Sequence, residues 1–202
     1  MKDERYERIL NESGRIFQTY GIRNVSMDDI CTTLGISKKT LYQYVNNKAD
    51  LIFKILEAHH EVYRQFIQDQ LDQGGNAIDI MLAVDSFVCS EMKNYTPDNI
   101  FVLKKYYPEV YQAIFEMKRT SILEGITANL NAGIRDGLYR KDLDVDLVAR
   151  MFVKNLEEIH QLEMSSSDNS YEKIFGTMYD HHIRAIVTPD GLEYYEKKKQ
   201  RQ

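Results

Sequence analysis

The sequence contains little cysteine, little proline and no long apolar stretch. Among its 202 residues only Cys31 and Cys89 are cysteines, and their separation suits neither a metal site nor a disulfide framework. No apolar run approaches the about 18 residues of a membrane-spanning helix, and the charged N-terminus does not resemble a signal peptide. These absences exclude a disulfide scaffold and a membrane protein. They favour the reducing cytoplasm as its location.

Helical periodicity and helix breakers divide the chain into segments. They predict helices at about 3–20, 27–33, 38–44, 47–72, 76–94, 98–106, 109–135, 145–164 and 171–187. Strand-like alternation and internal repeats are missing from the sequence. We therefore expect an all-α protein of about nine helices. The segment after Pro189, which includes Lys197, Lys198 and Lys199, is predicted to be a solvated charged tail.

Residues 26–50 contain three helix-start signals and one sharp turn. Ser26, Ser37 and Asn47 are each placed to accept a hydrogen bond from the first turn of a helix. Between the first two, Gly35 can adopt the left-handed conformation that ends a helix. Two short helices joined by a glycine turn form the unit that places a recognition helix in the DNA major groove.

The second of these short helices has a polar outer surface. Once its apolar positions are assigned to the core, Lys38, Lys39, Thr40, Gln43 and Tyr44 remain as outward residues. Lysines at a helix N-terminus are unfavourable unless an anion approaches, because that end already carries partial positive charge. An anionic partner such as DNA accounts for them, although a plain solvated helix start remains an alternative.

Charge is distributed unevenly along the chain. Residues 1–50 hold eight basic and seven acidic side chains, whereas the remainder holds 18 basic and 24 acidic ones. The net charge of −5 therefore arises away from the predicted DNA-binding segment, and local patches matter more for binding than the total. The first predicted helix carries Arg5, Arg8 and Arg15 on the face opposite its apolar residues.

The pattern in residues 5–55 resembles the DNA-binding domain of the TetR (tetracycline-repressor) family of bacterial regulators. The positions that carry the resemblance are Tyr20-Gly21, Val25-Ser26-Met27, Ile30, Leu34-Gly35-Ile36-Ser37, Leu41-Tyr42-Gln43-Tyr44-Val45, Lys48 and Leu51. Cys31 stands where the family usually has alanine, and Val45 where it often has phenylalanine. Neither change removes a DNA-contacting group.

The resemblance implies a role in DNA binding for eight residues. They are Ser26, Lys38, Lys39, Thr40, Tyr42, Gln43, Tyr44 and Lys48. Lys38, Lys39, Thr40 and Gln43 would face the groove. Tyr42 and Tyr44 would contact phosphates or base edges, and Ser26 and Lys48 would add contacts from neighbouring helices.

The resemblance also implies a two-domain organisation. Residues 1–47 would form the helix-turn-helix domain, and residues 48–202 a helical regulatory and dimerisation domain. The last two helices would form the interface of a homodimer through Val148, Phe152, Ile159, Phe175, Met178, Tyr179 and His182. These residues could alternatively pack within one subunit. We expect a repressor that binds a palindromic double-stranded DNA operator.

The middle helices are rich in residues typical of a small-molecule pocket. The candidates are Tyr63, Phe66, Phe87, Met92, Tyr95, Phe101, Tyr107, Tyr111 and Phe115. Aromatic residues at helical spacing are also common in a plain core. The sequence therefore predicts an effector site without naming the effector.

Two further functions are compatible with the sequence. Residues 57–60 and 157–160 both read Glu-x-x-His, the spacing of di-metal carboxylate enzymes, with Glu91, Glu116 or Glu124 as further ligands. Such spacing arises easily by chance in an acidic chain, so we expect no enzyme activity, no metal and no cofactor. The other alternative is a DNA-binding regulator that uses no small-molecule ligand.

Overall fold

The computed structural model describes residues 4–92, 97–162 and 171–200. These residues form ten helices: α1 Glu4–Tyr20, α2 Met27–Leu34, α3 Lys38–Leu41, α4 Lys48–Asp72, α5 Ala77–Met92, α6 Pro97–Tyr106, α7 Pro108–Arg135, α8 Val145–Leu162, α9 Tyr171–Ile186 and α10 Pro189–Lys199. No strand occurs in these ranges, and the only β-type pairing there is an isolated bridge between Tyr139 and Val187. The all-α prediction is confirmed.

The first compact unit consists of the described parts of Met1–Arg64 and Tyr95–Lys118. Ile30 on α2, Leu41 on α3 and Leu51 on α4 are fully buried, and they join α1–α4 in one apolar core. Leu103 of α6 belongs to the same core. The first turns of α4 therefore pack against α1, α2 and α3. This packing adds the buried apolar area that three small helices lack on their own.

The second compact unit consists of the described parts of Gln65–Asn94 and Arg119–Gln202. In it α9 packs against α5 and α8, and α10 packs against α5. Tyr139 is fully buried and donates its hydroxyl to Asn129 Oδ1 at 3.1 Å. These units describe how the chain packs, and the functional boundary between residues 47 and 48 stays a prediction.

The C-terminal segment differs from the prediction, because residues after Pro189 form helix α10 instead of a solvated tail. Thr188 caps this helix by accepting from the Gly191 amide at 3.1 Å, and Pro189 occupies its first turn, where a missing N–H does no harm. Tyr195 is 2% exposed and donates to Asp180 on α9 at 2.8 Å. The helix was not predicted because the high lysine content of the segment obscured the face on which the tyrosine is buried.

The second short helix is also shorter than predicted. Regular α-helix covers Lys38–Leu41, where about 38–44 was expected. Beyond it, Gln43 N–H bonds to Thr40 O at 3.3 Å and Tyr44 N–H bonds to Leu41 O at 3.0 Å. These are three-residue turns of the tighter kind that often finish a helix. The chain therefore keeps winding as far as Tyr44, but more tightly, with about three residues per turn.

Candidate nucleic-acid interface

Helix α2 begins and ends as the sequence predicts. Ser26 Oγ accepts from the Asp29 amide at 3.1 Å, and the Asp29 carboxylate accepts from the Ser26 amide at 2.7 Å. Gly35 ends the helix at a φ of 64°, in the left-handed region. The reciprocal caps and the glycine turn fix the direction in which the chain enters α3.

The short helix α3 is fixed in turn by Ser37. Its Oγ accepts from the Thr40 amide at 3.1 Å and lies 2.9 Å from Thr40 Oγ1. Leu41 anchors the helix from inside and is fully buried. Lys39, Tyr42 and Gln43 are exposed. The backbone of this short segment is therefore fixed from inside, while these three side chains remain accessible to a nucleic acid.

Lys38 and Lys39 differ in their surroundings. Lys38 Nζ lies 2.7 Å from Asp28 Oδ1 on α2, and this hydrogen bond raises the pKa of Lys38. In the described part of the chain, Lys39 forms no such ion pair. Because Asp28 and Lys38 are both exposed, the pair contributes little to stability and can open when an anion approaches. Asp28 was not predicted from the sequence as the partner of Lys38.

Tyr44 is held more firmly than its neighbours. Its ring stacks on Tyr6 of α1 with centroids 5.9 Å apart, and its carbonyl accepts from Lys54 Nζ at 2.6 Å. Tyr42, at 48% exposure, extends into solvent. Of the two tyrosines, Tyr42 is therefore freer to reach a nucleic acid, and Tyr44 also positions the end of the recognition segment. Lys54 was not singled out from the sequence.

Lys48 and Ser26 already have partners inside the protein. Burial lowers the pKa of Lys48, whose Nζ lies 5.7 Å from the ring centroid of Phe17. The Ser26 hydroxyl donates to Asp29 Oδ2 at 2.7 Å as part of the cap, and this bond holds the pKa of Asp29 below its usual range. Contacts from these two side chains to DNA stay predictions.

The residues predicted for the dimer interface lie mostly inside the chain. Phe152 of α8 meets Tyr179 and His182 of α9, with ring centroids 5.3 and 4.5 Å away, and Phe175 stacks on Tyr179 at 4.7 Å. Phe152, Ile159, Phe175 and Tyr179 are buried, whereas Val148 and Met178 are half-buried. The contacts of Phe152 with Tyr179 and His182 join α8 to α9. Among the side chains of α8 that the structure describes, the large exposed apolar ones are those of Leu147 and Met151.

The predicted pocket aromatics divide between the two units. In the first, Tyr63, Tyr107, Tyr111 and Phe115 are half-buried, and Phe101 is exposed. In the second, Phe66 and Phe87 stack with centroids 4.4 Å apart. Tyr95 and the side chain of Met92 lie outside the described residues. Of the half-buried aromatics, Tyr107 and Tyr111 pack against the apolar core of the first unit.

His60 is a buried polar group whose role the sequence did not resolve. It is 6% exposed and lies on α4 one turn before Tyr63, with ring centroids 6.1 Å apart. Its Nε2 has no hydrogen-bond partner in the described part of the chain. Burial lowers the pKa of His60 and raises the pKa of Tyr63 to about 12. In both cases burial favours the neutral form of the side chain.

The described ranges contain no candidate metal site and no candidate membrane-spanning helix. No group of three or more His, Cys, Asp or Glu side chains there is arranged to hold a metal ion. The second Glu-x-x-His motif ends at His160, whose side chain lies outside those ranges. No helix that the structure describes is both long and apolar enough to cross a bilayer. Neither Cys31 nor Cys89 forms a disulfide in the described part of the chain.

The capped helix–turn–helix, with a lysine, a tyrosine and a glutamine exposed on its second helix, defines a helix-turn-helix DNA-binding protein. Residues 9–55 match the family model described as bacterial regulatory proteins, tetR family. This match identifies residues 9–55 as a DNA-binding domain of the tetR type, and the chain as a transcriptional regulator that contains it.

Several relatives extend the likeness over most of the chain. It is 24% identical over 150 residues to the probable HTH-type transcriptional regulator ArpR of Pseudomonas putida, which covers 70% of this chain and 71% of the relative. It is also 24% identical over 163 residues to the HTH-type transcriptional repressor KstR2 of Rhodococcus jostii strain RHA1, with 74% of each chain covered.

Solved structures share the fold. A transcriptional regulator from Cytophaga hutchinsonii superposes with a TM-score of 0.78 at 19% identity, covering 92% of this chain and all of the other. The reduced form of Escherichia coli NemR gives a TM-score of 0.71 at 16% identity, covering 93% of this chain and 99% of the other. The helical architecture beyond residue 55 thus recurs in proteins with little sequence in common.

Proposed function

We propose that this chain is a transcriptional repressor that binds a palindromic operator as a homodimer in the cytoplasm and is released by a small-molecule effector. The observation that carries the proposal is the exposed edge formed by Lys39, Tyr42 and Gln43 on a backbone fixed by caps at both ends. A segment held in this way presents its side chains to base edges with little loss of conformational freedom.

Operator selection from a random DNA pool, followed by binding measurements, tests this function. The selected consensus should contain two inverted half-sites about one helical turn apart, because a two-fold dimer presents two equivalent recognition segments. Replacing both Lys39 and Tyr42 with alanine should abolish preference for that consensus. Unchanged operator affinity in this double variant, with the protein still folded, would refute DNA reading by α3.

Leu147 and Met151 support a homodimer. They lie one turn apart on α8 and are 54% and 57% exposed. Large apolar side chains at adjacent turns of one helix face are typical of an interface. The buried aromatics between α8 and α9 stiffen the helix pair, so its outer surface can serve as a flat docking face for a second copy.

Sedimentation of the Leu147→Glu, Met151→Glu double variant tests that interface. Two carboxylates would be desolvated on each side of the interface, so we expect a folded monomer at micromolar concentration. Val62→Glu is the matched control, since Val62 is an apolar residue of α4 that is exposed to a similar degree, 59%, and is not part of α8. A double variant that remains a dimer would rule out this face.

The effector is best sought near α4 of the first unit. His60 offers a buried nitrogen that lacks a partner in the described part of the chain, and half-buried Tyr63 lies one turn away. A ligand with an apolar body and one polar group would satisfy both features. Ligand binding to the folded state raises apparent stability, so thermal-shift screening with hydrophobic and cationic compounds tests this proposal. A true effector should also weaken operator binding, and its thermal shift should shrink in His60→Phe.

A further inference from the structure

A cavity of about 320 Å³ lies beside the recognition segment, within the first compact unit. Arg5 and Arg8 of α1 line one side of it, and Gly35, Ser37 and Thr40 of the turn and α3 line the other. Its remaining lining is apolar, and no carboxylate contributes to it. A cavity lined by guanidinium and hydroxyl groups without an acidic side chain favours an anion over a cation.

Arg8 is positioned in this cavity without being neutralised. Its Nη2 donates to the carbonyl of Leu34 at 3.4 Å, a long bond that orients the group but uses only one of its five N–H donors. Among the residues that the structure describes, Arg8 forms no ion pair. Arg15 on the same helix differs, because its Nη1 lies 3.1 Å from Glu12 Oε1.

Ser37 and Thr40 add one further donor. The Ser37 oxygen already accepts from the Thr40 amide, and the two hydroxyls form one hydrogen bond with each other at 2.9 Å. Two hydroxyl groups have two protons, and their mutual bond uses one. Whichever oxygen donates, one O–H is left to donate to a bound group. The cavity thus combines two guanidinium groups with one uncharged hydroxyl donor.

We propose that this cavity receives one phosphate of the DNA backbone next to the bases that α3 reads, with Arg5 and Arg8 as its cationic ligands. The proposal rests on the DNA-binding function above and adds a second anchoring point to it. Thr40 lines the cavity from α3 itself, so an anchored phosphate would adjoin the segment that reads bases. Such a contact fixes the register of α3 on the duplex and carries no sequence information.

The test measures DNA affinity of the full chain against salt concentration by fluorescence anisotropy. The selected operator and an unrelated duplex are compared between about 50 and 250 mM sodium chloride. Arg8→Ala should weaken binding to both duplexes about 10-fold or more, and should lower the salt slope by about one for each phosphate that is no longer neutralised. Arg5→Ala should act in the same direction.

Arg15→Ala is the matched control. It removes the same charge from an exposed position of α1 outside the cavity. We expect it to change neither the salt slope nor the affinity by more than about twofold, because an exposed distant charge is screened. If Arg8→Ala and Arg15→Ala behave alike in a folded protein, the cavity does not hold a phosphate and the inference is wrong.

Ethylation interference identifies the phosphate itself. Wild-type binding should be blocked by ethylating one particular phosphate per half-site, and Arg8→Ala should no longer respond to that modification. Arg8→Lys provides a second variant that keeps the charge while losing the fork, and it should retain the salt slope with reduced affinity. An identical interference pattern in wild type and in whichever folded Arg8 variant is used would overturn the assignment.

Two further outcomes separate the competing explanations. If inorganic phosphate at constant ionic strength raises the melting temperature of wild type but not of Arg8→Ala, while the DNA salt slopes are equal, the cavity binds a free anion and the inference fails. If the Lys39 and Tyr42 double variant keeps full operator preference, the proposed function fails first. Loss of that preference, together with an inert Arg8→Ala, overturns the cavity assignment alone.

Discussion

His182 makes the stability of the second unit depend on pH. Its ring centroid lies 4.5 Å from that of Phe152, and its Nε2 is buried without a hydrogen-bond partner in the described part of the chain. Burial lowers the pKa of His182 from 6.5 to about 4. The unfolded chain therefore binds this proton more readily than the folded one between these values. The contribution to stability is complete above pH 6.5 and is lost as the pH falls toward 4.

The size of this effect follows from the two pKa values. Because protonation of His182 is linked to unfolding, the free energy of unfolding should be about 2 kcal/mol lower at pH 5 than at pH 8. The remaining solvent contact of the ring reduces this difference toward about 1 kcal/mol. His182→Leu removes the titrating group and fills a similar volume with apolar atoms. We expect the variant to exceed wild type in stability at pH 5 by about 1–2 kcal/mol, and to match or slightly exceed it at pH 8.

Urea unfolding at one fixed protein concentration, at pH 8, 6 and 5, measures these differences. Fixed concentration is needed because dimerisation contributes to apparent stability. His181→Leu is the control, since His181 is the exposed neighbour on the same helix and its replacement leaves the buried ring in place. His60, whose pKa is also lowered, adds to the decline in every variant alike. An equal loss of stability in wild type and His182→Leu would refute the argument.

Three further substitutions test the packing and turns, each by urea unfolding against wild type. Gly133→Ala would place a Cβ 2.1 Å from the buried ring of Tyr139, so we expect a loss of at least about 2 kcal/mol. Gly35→Ala meets no atom within 4 Å, but its φ of 64° should cost about 1 kcal/mol, and a larger loss would reveal a clash absent from the structure. Ser37→Ala removes the cap on the Thr40 amide and should cost about 0.5–2 kcal/mol; no loss would mean that another group replaces the cap.

The parts of the fold that were predicted from sequence are those determined by local interactions. Ser26, Ser37 and Asn47 were identified as caps because the accepting side chain and the donating amide are three residues apart or fewer. Gly35 was identified because a short polar turn between two apolar helices needs a left-handed residue, and its φ of 64° confirms this. The eight candidate DNA-binding residues come from the resemblance of residues 5–55 to a known family, and their contacts with DNA stay predictions.

The parts that were missed depend on contacts between distant segments. Helix α10 owes its formation to Tyr195 and Tyr194, which donate to Asp180 and Asp79 across 15 and 115 residues of sequence. No local pattern reveals which face of a charged segment will find such acceptors. The outward position of Met151 was missed for a similar reason, because the apolar residues of α8 lie on more than one face.

The ion pair between Lys38 and Asp28 has a consequence for how this protein searches DNA. Without DNA, the carboxylate keeps the ammonium group extended along the protein surface, so less side-chain freedom is lost when a phosphate arrives. The Asp28 carboxylate also repels the DNA backbone. This repulsion offsets part of the electrostatic attraction between the protein and any duplex, whatever its sequence. We therefore expect Asp28 to shorten residence on unrelated DNA, so that a larger share of each encounter depends on whether the bases fit. An acidic residue beside a lysine that is predicted to meet DNA would in this way contribute to selectivity.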